Sequence, residues 1–183
     1  MDPHSQVATV QGGARIKDVA AAADAHGLVA ELGNCGEVGM AGLTLGGGYG
    51  PLNGQHGLAA DNLLGAEVVL ADGRRVTTGP DEEPELFWAI RGGGGNFGVV
   101  TSLRIRLHET RHMLAALITY PWSEAETVLR RYAAFAATMP DELGVPVAMA
   151  SGPDGQPAIT LVPLWNGDKL QGERAMKDRR AHV

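Results

Sequence analysis

The chain has a single cysteine, Cys35, in 183 residues. No internal disulfide can form, and a reducing cytoplasm is the expected compartment. No stretch approaches the roughly 18 apolar residues a membrane-spanning helix needs, so no membrane partner is expected. Basic residues are outnumbered, 15 against 21 acidic, for a net charge of −6. They form no stripe, which argues against nucleic acid. The opening MDPHSQVATV lacks a charged segment followed by an apolar core, so no secretory signal is read there. Internal repeats and low-complexity tails are missing too. Glycine, by contrast, is abundant: 26 residues, about twice the roughly 7% of average usage. It is also clustered, which marks backbone that a Cβ would obstruct or that approaches something closely.

Periodicity predicts a mixed chain. Val7 to Val10 reads as a short strand, and Ala14 to His26 as a helix with Ile16, Val19, Ala20 and Ala23 on one face and Gly27 at its end. Leu28 to Leu32 reads as a buried strand. The glycine-punctuated segment 33–57 has no clean period. Gly65 to Thr78 has the form of a hairpin with Asp72-Gly73 in a type I′ turn. Pro84 to Arg91 predicts a short helix, with Phe87 and Trp88 as core anchors, and Val99 to Leu107 alternates as a half-buried strand. Beyond residue 110 the expectations are a strand over Leu114 to Tyr120 and a helix opened by a capping box at Ser123 to Glu126. Paired strands over Val145 to Ala150 and Ala158 to Trp165 follow, then a last helix over Leu170 to Arg180.

Three glycine blocks carry the candidate chemistry: GNCGEVGMAGLTLGGGYG from Gly33, NGQHGLAADN from Asn53, and GGGGNFGVV from Gly92. Bare backbone N–H groups can cradle phosphates or meet a flat heterocycle at contact distance. Each block alone is equally consistent with tight turns. Gly93, Gly95 and Gly98 satisfy G-x-G-x-x-G, but that fingerprint must follow a strand and open a helix. Here a helix precedes it and a strand follows, which excludes a nicotinamide-binding unit of that type. A G-x-x-x-x-G-K-[ST] phosphate loop is absent.

Together the three blocks, with GLAADNLLGAEVVLADGRRV and ELFWAIRGGGGNFGVVTSLRIRLH, resemble the FAD-binding domain of the vanillyl-alcohol-oxidase and p-cresol-methylhydroxylase superfamily. The berberine-bridge-enzyme-like branch is the nearest match. The resemblance runs from about Val7 to Asp178. It implies an α+β chain: residues 1–110 as the C-terminal part of a two-subdomain FAD-binding fold, and 111–183 as the start of an α/β substrate-side domain. The form LVPLWNGD is similar to the opening of the latter.

The same resemblance assigns residues. Cys35 matches a cysteine that in many members bonds covalently to C6 of the flavin ring; a buried structural thiol is the alternative. Val38, Gly39 and Gly42 would line the diphosphate and ribityl side, and Gly47, Gly48, Tyr49 and Gly50 the isoalloxazine. Asp61 and Asn62 would brace that loop, and Val99 and Val100 would meet the adenine end. An upstream half, with a histidine bonded to the flavin's 8α-methyl, and a C-terminal region with the catalytic base are also implied. His4 lacks the glycine-rich setting for the first role, and no base is named.

The implied activity is hydride transfer from an alcohol, amine or sugar carbon of a small-molecule substrate to flavin N5. The competing reading is a cofactor-free structural module that covers apolar surface by pairing with a second copy. His108 and His112 are four apart without an acid or cysteine partner, so no metal is expected there. His56, in the Gly54–Gly57 loop, reads as a solvated loop residue, with a position facing the flavin as the alternative.

Overall fold

The computed structural model describes residues 1–152 and 154–178. It divides the chain into two compact units, Met1–Thr110 and a second that begins at Arg111.

The first unit is built on β1 (Val7–Gln11), α1 (Ile16–Asp24), β2 (Leu28–Val29), α2 (Met40–Leu45) and α3 (Asn53–His56). It continues with β3 (Leu63–Val69), β4 (Arg75–Thr78), α4 (Pro84–Ile90), β5 (Val99–Arg106) and β6 (His108–Glu109). An antiparallel sheet runs in the order β1-β5-β3-β4, and β2 pairs with β6. The alternation read in β5 holds in its second half, where Leu103 and Ile105 are fully buried and Arg104 and Arg106 face out. At its start Val100 is buried while Val99 and Thr101 face out, because the register against β3 shifts between Glu67 and Val68. Ile16, Val19 and Ala23 of α1 and Phe87 and Ile90 of α4 join Ala8, Val10, Leu103 and Ile105 in one core. Burying each of the larger of these side chains contributes on the order of 1.5–3 kcal/mol.

Several expectations need correction. The strand expected over Leu28 to Leu32 stops at Val29, because its partner β6 offers only Glu109 and His108. The aperiodic segment hides α2 and α3, too short at six and four residues to show a 3.6-residue pattern. The hairpin forms, but its turn is not type I′. Asp72 keeps negative φ and only Gly73 is positive, with Leu70 N–H donating to Arg74 O and Gly73 N–H to Leu70 O. The tip is thus a three-residue loop with glycine in the left-handed position. Phe87 is a core anchor, but Trp88 is 76% exposed, since a one-residue step turns it roughly 100° from Phe87 around α4. After α4 come a 3-10 turn at Gly94–Phe97 and then β5, so no helix opens on the G-x-G-x-x-G glycines.

In the second unit, β7 (His112–Ala115), β8 (Ile118–Pro121), α5 (Ala125–Ala136), β9 (Leu143–Gly144), β10 (Val147–Ser151), β11 (Pro157–Leu161), β12 (Leu164–Gly167) and α6 (Lys169–Asp178) form two small sheets and two helices. The sheets have the orders β10-β11-β8 and β7-β12-β9. The single strands expected over Leu114 to Tyr120 and Ala158 to Trp165 are therefore each split between two sheets. The break is held by Ala116 N–H on Pro163 O. Ser123 does not cap α5: it lies in a 3-10 turn, Trp122–Glu124, and no side chain caps the helix. The last helix begins at Lys169, and Ala175 and Met176 pack on the core around Trp165. The last two residues of the expected helix lie outside the described residues.

Candidate functional site

The strip from Gly36 to Met40 is laced to the start of α1. Ile16 N–H donates to Val38 O and Lys17 N–H to Gly36 O, each at 3.0 Å, and Met40 N–H donates to Ala14 O at 2.9 Å. Glu37 bridges Arg15 and Lys17 at the surface. This lacing leaves Cys35 exposed at the preceding bend, which removes the alternative of a buried structural thiol. Cys35, Val38, Gly48 and Tyr49 line one cleft of about 380 Å³, together with Gly33 and Leu43.

The far wall of the cleft depends on glycine at two positions. Gly48 has φ +68°, and a Cβ there would lie 2.8 Å from Leu43 Cγ and 2.9 Å from Ala59 Cβ. Gly50 is packed so tightly on the Leu32 carbonyl that any side chain would overlap it. Both are conformations or approaches that other residues resist. Tyr49 between them is 72% exposed.

The second and third glycine blocks brace this wall. Ala59 N–H donates to Gly48 O at 2.8 Å and Ala60 N–H to Gly47 O at 2.9 Å. Asn62, buried in a 3-10 turn (Ala59–Asn62), donates from Nδ2 to His56 O and Leu58 O, both at 2.9 Å. Its Oδ1 lies 2.8 Å from His108 Nε2. Asp61 accepts from Leu58 N–H and from Arg91, whose Nε also donates to Ala60 O. Gly92 N–H donates to Leu45 O. Blocks separated by tens of residues thus share one hydrogen-bonded frame.

Gly39 and Gly42 stand beside this frame with nothing within 4 Å of the position a Cβ would take. Val99 and Val100 are elsewhere: they open β5, Val100 buried and Val99 exposed, and border a separate groove of about 640 Å³ with Gln11, Gly12 and Glu67. The structure therefore brings Cys35, Val38, Gly48 and Tyr49 together, holds Gly47 and Gly48 through Asn62's turn, and sets Val99 and Val100 apart.

Two groups escaped sequence reasoning. Glu31 is 1% exposed and neither carboxylate oxygen completes a hydrogen bond. Burial raises its pKa to about 7, against a smaller downward pull from the nearby amides of Leu52 and Gly50. A charged residue within the apolar run Leu28 to Leu32 was the only signal. The other group is the histidine pair. His56 is not a solvated loop residue: its ring stacks on His108, centroids 3.7 Å apart and planes within 5°. Burial, then the charges of His56 and Arg106, lower the His108 pKa to about 4. Among the described residues no group of three His, Cys, Asp or Glu could hold a metal ion.

With this geometry in place, comparison with known proteins is decisive. A family model described as "FAD binding domain" matches residues 1–79. The xylooligosaccharide oxidase of Thermothelomyces thermophilus is 38% identical over 154 residues, covering 80% of this chain and 31% of that protein. The crystal structure of 6-hydroxy-D-nicotine oxidase from Arthrobacter nicotinovorans superposes with a TM-score of 0.89 at 36% identity, over 100% of this chain and 41% of that one. BBE-like protein 28 of Arabidopsis thaliana gives 0.87 at 28% identity, over 97% and 37%. The chain belongs to the berberine-bridge-enzyme-like branch of the vanillyl-alcohol-oxidase and p-cresol-methylhydroxylase superfamily. It spans between 23% and 38% of the length of these curated relatives. Its α+β architecture is that of the branch's FAD-binding fold, and FAD is the cofactor of that fold.

The residues present fit such a group. A dinucleotide with a flat ring needs backbone free of side chains along its length. Gly39 and Gly42 supply open backbone, and the Gly47–Gly50 turn is held from behind by the Ala59–Asn62 turn.

Proposed function

We propose that this chain serves an FAD-dependent oxidoreductase that takes hydride from an alcohol, amine or sugar carbon of a small molecule. The observation that carries the reading is the convergence of three glycine blocks, distant in sequence, on one frame around the Cys35 cleft. FAD, when bound, supplies the hydride acceptor at N5. Two of the relatives carry names that span the substrate range, a xylooligosaccharide oxidase and a hydroxynicotine oxidase. From residue 111 onward the chain would open the substrate-side domain.

Within this reading, Val38, Gly39 and Gly42 face the diphosphate and ribityl side, Tyr49 with its flanking glycines faces the ring, and Val99 and Val100 face the adenine end. Cys35 would be the covalent attachment point. Its exposed Sγ would hold the flavin at ring carbon C6, an oxidative coupling in which the thiol and C6 protons would be lost and dioxygen would take the two electrons. The exposure of Cys35 and its place in the cleft with Tyr49 and Gly48 support this.

The test is optical. Protein purified with FAD and precipitated in acid should keep a yellow chromophore in the pellet, and Cys35→Ser should release it to the supernatant. A colourless wild-type protein whose melting temperature ignores added FAD would defeat the assignment.

A further inference from the structure

The frame behind the glycine wall contains a device that cofactor chemistry does not require. Asn62 Nδ2 donates to two carbonyls, His56 O and Leu58 O, which fixes the amide so that Oδ1 is the acceptor. His108 must then donate from Nε2, at 2.8 Å, and its free position for a second proton is Nδ1. That ring lies flat on His56. One positive charge on a pair of stacked imidazoles is tolerable, but two like charges at 3.7 Å between centroids are not.

We propose that His108, acting through Asn62, is a positioning residue for the Gly47–Gly50 wall, and that its burial, together with its stack on His56, makes this hold release in acid. The link to the wall is short: Asn62 closes the 3-10 turn whose Ala59 and Ala60 amides fix the Gly48 and Gly47 carbonyls. His56 and Arg106 are the charges acting on His108. Beyond Asn62 lie Asp61 and Arg91, paired at 3.2 Å, and β2 meets β6 with Leu28 and Val29, which do not titrate. The buried Glu31 carboxyl sits beside Gly50 on the other side of the wall and works in the opposite sense.

The sign follows from linkage. A histidine held below its ordinary value near 6.5 steadies the closed arrangement above that pH and ceases to do so as pH falls toward its depressed value, about 4 for His108. The closed-to-open ratio should drop by up to about 300-fold as pH falls through those two values.

This inference goes beyond the flavin reading, and its test needs no cofactor. Amide exchange read by NMR between pH 4 and 8, expressed as protection factors, follows Ala59 and Ala60 with the β5 amides as internal reference. Protection of Ala59 and Ala60 should fall tenfold or more toward pH 4 while β5 holds, on the order expected for local opening. His108→Gln, which can still donate but cannot charge, should abolish the fall, and His56→Phe, which keeps a flat ring, should shrink it. If His108→Gln does not fold, His56→Phe decides alone. The proposal is overturned if Ala59 and Ala60 lose protection only in step with β5, show no pH dependence, or behave as wild type in the folded variants.

Discussion

The two units solve the same packing problem with opposite materials. Of 26 glycines, only Gly144, Gly152, Gly155, Gly167 and Gly172 lie beyond residue 110. The first unit packs aliphatic side chains between sheet and helices and leaves glycine backbone bare along its cleft. The second gathers its core around Trp165, with Leu114, Tyr132 and Phe135 among its neighbours, and uses Gly172 to let α6 pass over the indole. Trp165 Nε1 is satisfied by Asp168 O at 3.0 Å. Where a surface is to receive a flat ligand, side chains are withheld; where a core must close over few strands, one large aromatic does the filling.

Substitutions should separate these strategies. The largest effect is expected from Trp165→Ala, which removes the centre of the second core and should cost about 3–5 kcal/mol. Amide exchange should show the loss in β9 and β12 with β3 and β5 unchanged; equal loss in both units would dissolve the contrast. Gly48→Ala should cost about 2–4 kcal/mol, combining a left-handed φ with contacts below 3.0 Å on Leu43 and Ala59. Its damage should stay in the first unit, read as lost protection at Ala59 and Ala60, and an unchanged denaturation midpoint would refute the tight wall.

Glu31→Gln comes next and has a pH signature. The folded carboxyl sits at about 7, above its ordinary 4.5, so the folded state holds a proton that the unfolded chain has released between those values. Stability contributed by this group is full below pH 4.5, declines as pH rises, and is lost by about 7, a change on the order of 2–3 kcal/mol. His108 runs the other way across much of the same window, so the difference between Glu31→Gln and wild type is diagnostic, not the wild-type curve. Denaturant midpoints at pH 5 and pH 8 should differ less in the folded variant once the His108 contribution is subtracted with His108→Gln; parallel curves would remove Glu31 from the account. The smallest effect belongs to Glu126→Ala, whose partner Arg130 is four residues on and equally exposed. It should cost no more than about 0.5 kcal/mol, and a larger loss would mean α5 relies on surface charge more than its buried Ala125 and Val128 suggest.

Much of this was legible in the chain itself. The 3.6-residue spacing of Ile16, Val19 and Ala23 corresponds to α1, and the alternation through Leu103 and Ile105 to the second half of β5, because each buries a single face. At the start of β5 the expected face is reversed, with Val100 buried and Val99 and Thr101 exposed. The failures share a cause. The short helices at Met40–Leu45 and Asn53–His56 and the split strands of the second unit are decided by distant partners, not by local period. At the site, the residue types of the Cys35 cleft were visible as a glycine block, whereas Glu31 and the His56–His108 stack were not: burial and ring contact join residues 52 positions apart.

From the order of its residues alone, this protein is an α+β member of a flavin-linked family with a cysteine set among glycines, since motif order and spacing survive without coordinates. Only the tertiary structure decided that Cys35 is exposed, that Asn62 links two histidines to the glycine wall, and that a carboxyl is sealed beneath it. Those properties belong to contacts between remote segments, and no local pattern encodes the free energy of a contact until the chain has closed around it.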